Sequence, residues 1–192
     1  MRNDQIQWMV RQSVASALCV LGAIALAPDA HAASVSGSKG IEIEGPRDRR
    51  GLAWGVGLAM GGARMPGGFV PVPALKADIG AGLSKRVTLM ASLTFGKYLG
   101  PSTGWLLGGD FEVQGFVFKG LYLLGGMGVH GVPRAKGDPV FTYGIGGEAG
   151  LGYEVFVNNT AAVSFGVNYD LRYAGEQAVR HGAFGVFKVR FY

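Results

Sequence analysis

The chain has 192 residues, of which 34 are Gly and 8 are Pro, and its formal net charge is +5. Because 48% of the residues are hydrophobic and only 16% are charged, the composition excludes an intrinsically disordered protein, which combines low hydrophobicity with high charge. The Gly residues follow no three-residue period, which excludes collagen. The basic residues are scattered along the chain, so the sequence predicts no nucleic-acid partner.

Residues 1–32 have the parts of a secretory signal peptide. Arg2 and Arg11 precede an apolar stretch over residues 13–27, and Ala30-His31-Ala32 places small residues at the two positions that a signal peptidase reads. The apolar stretch is shorter than the ~20 residues that a membrane-spanning helix needs. We therefore predict cleavage after Ala32, followed by a short periplasmic leader over residues 33–49.

From residue 50 onward, large apolar residues alternate with small or polar ones. The first run alternates Leu52, Trp54, Val56, Leu58 and Met60 with Gly and Ala, and seven further runs follow up to Phe187, Val189 and Phe191. A period of two indicates a β-strand with two different faces. Each run is about as long as the ~10 residues that a tilted strand needs to cross a bilayer.

The connections between these runs alternate between short and long. The short ones fall at 84–86, 116–119 and 158–159, and the longer, polar or Pro/Gly-rich ones at 64–73, 98–104, 132–140 and 174–181. Short periplasmic turns with longer extracellular loops are typical of transmembrane β-barrels. We therefore predict an all-β fold, an eight-stranded antiparallel up-and-down transmembrane β-barrel over residues 50–192. Its apolar face contacts outer-membrane lipids and its small face lines the lumen.

The terminal strand, Phe187 to Tyr192, ends in an aromatic residue. Together with the signal peptide and the eight alternating runs, it resembles the small outer-membrane barrels of the OmpA/OmpX type. The resemblance covers residues 50–192 as architecture. It implies a location in the cell outer membrane and a partner in the barrel-assembly machinery, which reads the terminal strand. Counting back from Tyr192, the apolar positions are one residue out of phase with the pattern of that family.

Charged residues within the strands are predicted to face the lumen, because Arg or Lys at the lipid-facing midplane costs about 2–4 kcal/mol. We expect Asp110 and Glu112 to pair with Lys188 and Arg190 across the lumen, since an unpaired buried charge is costlier than a paired one. The resulting polar plug lies in the periplasmic half and leaves no continuous pore. The predicted lumen charge network consists of Asp110, Glu112, Glu148, Asp170, Arg172, Lys188 and Arg190.

This plug favours a structural or surface-interaction role, with a surface ligand bound through loops 64–73 and 132–140. The alternative is a small OmpW-like channel for small or apolar compounds. A second alternative is a lipid-modifying barrel enzyme. However, His130 and His181 lie on strands that are not neighbours, and neither begins the His-x-Ser spacing of lipid A deacylase barrels.

No His or carboxylate pair has metal-ligand spacing in a protected site. Residues 144–149 match a loose dinucleotide fingerprint, but no helix follows them. The sequence therefore predicts no enzyme, no cofactor and no metal.

Overall fold

The computed structural model describes residues 49–65, 68–100, 104–133, 141–174 and 177–192. These ranges form eight strands: β1 (Gly51–Met65), β2 (Gly68–Gly82), β3 (Val87–Tyr98), β4 (Gly104–Phe118), β5 (Leu121–Pro133), β6 (Phe141–Phe156), β7 (Ala161–Ala174) and β8 (Gln177–Phe191). Each strand pairs antiparallel with the next, and β8 pairs with β1, so the sheet closes into a barrel. The predicted all-β, eight-stranded barrel is confirmed.

The predicted signal peptide and residues 33–48 of the predicted leader lie outside the described residues. Within the described ranges, the chain has no helix of the length and apolarity that a membrane span requires.

The two ends of the barrel differ in their connections. The terminal end carries Tyr192, the start of β1 and the connections 83–86, 119–120 and 157–160. At the opposite end, here called the loop end, β1, β3, β5 and β7 end and β2, β4, β6 and β8 begin. At the terminal end, Ser84 Oγ accepts hydrogen bonds from the amides of Arg86 and Val87, both at 3.1 Å. Asn158 Oδ1 accepts one from the amide of Ala161 at 2.7 Å. Such side-chain bonds to the backbone stabilise tight reversals.

The predicted long loop at 64–73 is wrong, because β1 continues to Met65 and β2 begins at Gly68. Pro71 and Pro73 are the residues that favour irregular structure in this stretch of the sequence. They lie beyond the last β2–β3 ladder pair, Ala74 with Gly96, where a single amide, that of Leu99, donates to the Pro71 carbonyl at 2.8 Å. Proline is tolerated in a strand at such an edge position, since it has no N–H to contribute to a ladder.

The predicted long loop at 174–181 is also wrong, because β7 ends at Ala174 and β8 begins at Gln177. In this part of β8, polar or small residues occupy both faces, Arg180 and Gly182 on one and His181 and Ala183 on the other. Arg180 is buried in the lumen while His181 is exposed on the outer face. No apolar alternation therefore marks this part of the strand.

The two faces of the barrel wall have the predicted phase. Leu52, Trp54 and Met60 are 68%, 47% and 70% exposed, whereas Ala53 and Ala59 between them are buried. Aromatic side chains lie on the outer face near both ends, where Trp54 stacks on Phe191 at a centroid distance of 4.5 Å and Phe95 stacks on Trp105 at 5.1 Å. The outer face is therefore apolar with aromatic residues at its borders, the arrangement that suits a bilayer.

Candidate functional site in the barrel lumen

The lumen holds a continuous series of ion pairs of alternating sign, here called the ion-pair chain. From the terminal end inward, its pairs are Arg49–Glu154 at 2.8 Å, Glu154–Arg190 at 3.3 Å, Arg190–Asp78 at 2.9 Å, Asp78–Lys188 at 2.8 Å, Lys188–Glu112 at 3.6 Å, Glu112–Lys76 at 2.9 Å and Lys76–Glu148 at 3.2 Å. All of these side chains are buried. Each charge thus has at least one opposite charge beside it, as burial of ions requires.

Arg49 closes the terminal end of the lumen. Its side chain is 2% exposed, its Nη1 donates to the Lys85 carbonyl at 3.2 Å, and its guanidinium carbon lies 3.6 Å from the centroid of the Phe116 ring. The Tyr192 hydroxyl donates to the same Glu154 carboxylate at 2.9 Å. Arg49, the last residue of the predicted leader, and Tyr192 therefore both contact Glu154 at the terminal end of the lumen.

A second group of charges, the Asp110 cluster, lies nearer the loop end. Asp110 is 2.7 Å from His130 Nε2 and 2.9 Å from Arg172 Nη2, and Arg172 also lies 3.4 Å from Asp170. Asp170 is the most exposed member, with 15% of its side chain accessible. A cavity of about 20 Å³ adjoins the cluster, lined by His130 and Asp170 among others. That volume is enough for about one water molecule.

Apolar side chains fill the lumen beyond the ion-pair chain toward the loop end. This apolar cluster consists of Ala59, Ala63, Val70, Val72, Ala74, Tyr98, Leu106 and Val186, with Phe184 packed against it. Among the described residues, no group of three His, Cys, Asp or Glu side chains could hold a metal ion. The ion-pair chain therefore occupies the lumen toward the terminal end, and the Asp110 cluster and the apolar cluster occupy it toward the loop end.

Glycines on the lumen face provide the space for these long side chains. A Cβ added at Gly55 would lie 2.5 Å from Asp78 Oδ1, and one at Gly57 would lie 2.6 Å from Lys188 Cγ. The same holds at Gly146, where a Cβ would come within 2.9 Å of Arg172 Cδ. A narrow barrel can hold so many charged side chains because the residues beside them on the lumen face are small.

Gly108→Ala tests this packing, because a Cβ there would overlap the His130 ring. We expect the folded barrel to lose about 1–3 kcal/mol of stability, the usual cost of overpacking, as the ring moves away from Asp110. Urea unfolding followed by tryptophan fluorescence measures the loss. Gly109→Ala is the matched control, since its Cβ would meet nothing closer than Leu93 Cδ2 at 3.7 Å. Equal stabilities of the two variants would contradict the packing argument.

The structure divides the seven sequence-predicted charges between the two groups. Glu112, Glu148, Lys188 and Arg190 belong to the ion-pair chain, and Asp110, Asp170 and Arg172 to the Asp110 cluster. Of the pairs expected across the lumen, the structure has Glu112 with Lys188. Asp110 instead pairs with Arg172 and His130. One reason is that β4 continues to Phe118, into the stretch 116–119 that the sequence assigns to a connection. Asp110 therefore lies further from the terminal end than the sequence suggested.

Sequence reasoning missed five members of these groups: Arg49, Lys76, Asp78, His130 and Glu154. Lys76 and Asp78 alternate with the outward residues of the second run, and Glu154 has the inward phase of the sixth. The alternation therefore predicts that these three side chains face the lumen. Arg49 precedes the first run, so no periodic signal marks it.

A closed antiparallel barrel of eight strands, apolar outside and charged inside, has the fold of the small outer-membrane β-barrels. Among solved structures, the crystal structure of Neisserial surface protein A matches with 17% sequence identity and a TM-score of 0.57, covering 73% of this chain and 96% of that one. The N-terminal β-barrel domain of OprF from Pseudomonas aeruginosa has 16% identity and a TM-score of 0.48, covering 76% of this chain and 98% of that one. No protein-family model and no curated protein sequence matches the chain.

Proposed function

We propose that this protein is an integral outer-membrane β-barrel with a structural or surface-interaction role, whose lumen is closed by the ion-pair chain. The observation that carries the proposal is the reversed polarity of the wall. Large apolar side chains such as Leu58, Leu93 and Phe111 are 54%, 66% and 52% exposed, while Glu112 and Arg190 are each 1% exposed. In water this arrangement would expose apolar area that folding normally buries, whereas in a bilayer both faces are satisfied.

The filled lumen supports a closed barrel rather than a channel. The ion-pair chain connects Arg49 at the terminal end to Glu148, and the apolar cluster occupies the space beyond it. Channels lined by charged rings keep those charges in contact with water. The side chains of the ion-pair chain are instead buried against one another.

The positions of the two described histidines support a non-enzymatic role. His130 is buried in the lumen beside Asp110, whereas His181 is exposed on the outer face, where it hydrogen-bonds to the Tyr169 hydroxyl. The barrel wall separates them, so they share no site.

In the proposed surface-interaction role, the contacts with the ligand lie at the loop end of the barrel. There the β1–β2 hairpin continues beyond the last β2–β3 ladder pair, Ala74 with Gly96. The segments 64–73 and 132–140 are proposed to contact a surface ligand.

Two measurements on the refolded protein test the proposal. We expect the unheated sample to migrate differently from the boiled one in SDS gels, because a closed membrane barrel resists SDS until it is heated. We also expect no stable single-channel steps in planar bilayers. Identical gel mobilities would contradict the membrane barrel. Regular conductance steps from a heat-modifiable sample would instead contradict only the closed lumen and favour the small-channel alternative.

A further inference from the structure

Charges are strongly segregated between the two faces of the barrel wall. Every Asp and Glu of the described ranges lies on the lumen face: Asp78, Asp110, Glu112, Glu148, Glu154 and Asp170. On the outer face, the described strands carry Arg64 and Lys97 as charged residues, together with His181. All three lie in the part of their strand nearest the loop end. The membrane-facing surface at this end is thus basic and has no acidic groups among the described residues.

Two of these groups are direct neighbours. Arg64 on β1 is the register partner of His181 on β8, and both side chains are exposed. Cross-strand partners on one face have Cβ atoms about 4.5–5.5 Å apart. On the other side of Arg64, its register partner on β2 is the exposed Phe69. We call Arg64, Phe69, Tyr169 and His181 the Arg64 patch.

The hydrogen bonding of the Arg64 patch makes it a site for an acceptor. The guanidinium of Arg64 has only N–H donors, and no acidic residue of the described ranges shares its face. The Tyr169 hydroxyl is hydrogen-bonded to Nδ1 of His181, so Nε2 is the ring nitrogen left for a ligand. The exposed guanidinium of Arg64 therefore takes its acceptor from outside the barrel, and His181 Nε2 donates to the same group in the tautomer in which the Tyr169 hydroxyl donates to Nδ1. An anion is the strongest acceptor for such donors.

We propose that the Arg64 patch binds the phosphate group of an anionic lipid in the membrane leaflet at the loop end. The inference rests on the proposed membrane location. The guanidinium fork matches the oxygen atoms of a phosphate. Phe69 and Tyr169, which are 68% and 49% exposed, provide apolar surface for the acyl chains and mark the level of the membrane interface, where aromatic residues concentrate.

A lipid fits the patch better than a free phosphate ion. An ion in water would bind only the nitrogen groups, and exposed ion pairs contribute little. A lipid adds the burial of its chains against the exposed apolar side chains that border Arg64. Basic residues near a membrane surface attract anionic lipids in this way.

Native mass spectrometry of the refolded full-length barrel in a neutral detergent tests the proposal, with phosphatidic acid as the probe. We expect phosphatidic acid to bind more tightly than phosphatidylcholine. Arg64→Gln should weaken its binding about fivefold, the effect of one basic residue at a membrane surface. Arg64→Gln with His181→Gln should weaken it further. Lys85→Gln is the matched control, because it removes one exposed charge at the terminal end and should leave binding unchanged.

Three outcomes would overturn the inference. They are equal binding of the two lipids, equal losses in the Arg64 and Lys85 variants, and full displacement of phosphatidic acid by millimolar inorganic phosphate, which would identify a free-ion site. The gel mobility of each sample reports separately on the barrel. A heat-modifiable protein without lipid preference would contradict only the Arg64 patch, whereas a protein with no folded band would contradict the proposed function itself.

Discussion

Asp78→Asn is expected to destabilise the folded barrel by about 3 kcal/mol, because removing one partner of a buried ion pair leaves uncompensated charge. Oδ2 of Asp78 accepts from both Lys188, at 2.8 Å, and Arg190, at 2.9 Å. Asparagine keeps the shape of the side chain beside Gly55 but removes the charge. Both cations then depend on longer contacts, Lys188 with Glu112 at 3.6 Å and Arg190 with Glu154 at 3.3 Å.

Urea unfolding in detergent, followed by tryptophan fluorescence, measures this loss. Asp170→Asn is the matched control. It makes the same chemical change in the Asp110 cluster, where the carboxylate is partly exposed and its contact with Arg172 is 3.4 Å, so we expect a loss below about 1 kcal/mol. Adding Lys188→Met to Asp78→Asn should restore part of the stability, since one unpaired cation disappears. Strictly additive losses would show that Asp78 and Lys188 do not interact.

Lys76→Met is expected to have an effect of similar size, about 3 kcal/mol, for the opposite reason. Lys76 lies between two carboxylates, 2.9 Å from Glu112 and 3.2 Å from Glu148. Without it, two neighbouring negative charges remain buried, with Lys188 beside one of them. A buried carboxylate that has lost its cation becomes neutral by taking up a proton. The loss of stability should therefore be smaller at pH 5 than at pH 8.

The comparison needs unfolding curves of the parent and the variant at both pH values. Lys85→Met serves as the control, because Lys85 is an exposed lysine in the turn between β2 and β3. It should change stability by less than about 0.5 kcal/mol at either pH. A deficit of Lys76→Met that stays constant or grows on acidification would show that Glu112 and Glu148 do not depend on Lys76.

The sequence predicted the barrel because each strand contacts two different environments. Period-two alternation in runs such as Leu52 to Met60 predicts both the strand and which of its residues face outward. The alternation fails where polar residues occupy both faces of a strand, as at Arg180 and His181 in β8, and where Pro71 and Pro73 favour a loop. These positions account for the two wrong loops.

The same signal predicted which charges face the lumen but not which of them pair. Alternation places Glu112 and Lys188 inward without giving their relative depth, which depends on strand ends and on the stagger between strands. The misplaced end of β4 is one reason why the partners of Asp110 were predicted wrongly. Arg49 could not be found at all, because its position depends on the Phe116 ring and on Glu154, two groups distant in sequence.

The strands that supply the ion-pair chain also determine when the net charge of the lumen is neutralised during assembly. Asp78 and Arg190 are 112 residues apart in sequence. Both cations that contact Asp78, Lys188 and Arg190, lie on β8, the last strand to be synthesised. A barrel assembled only through β7 would have an interior with excess negative charge, accessible to water and hydrated. When β8 joins β1, the final ladder of hydrogen bonds and the final neutralising charges arrive together. Closure of the sheet, neutralisation of the lumen charges and exclusion of water from the lumen are therefore one cooperative event, because β8 is required for all three.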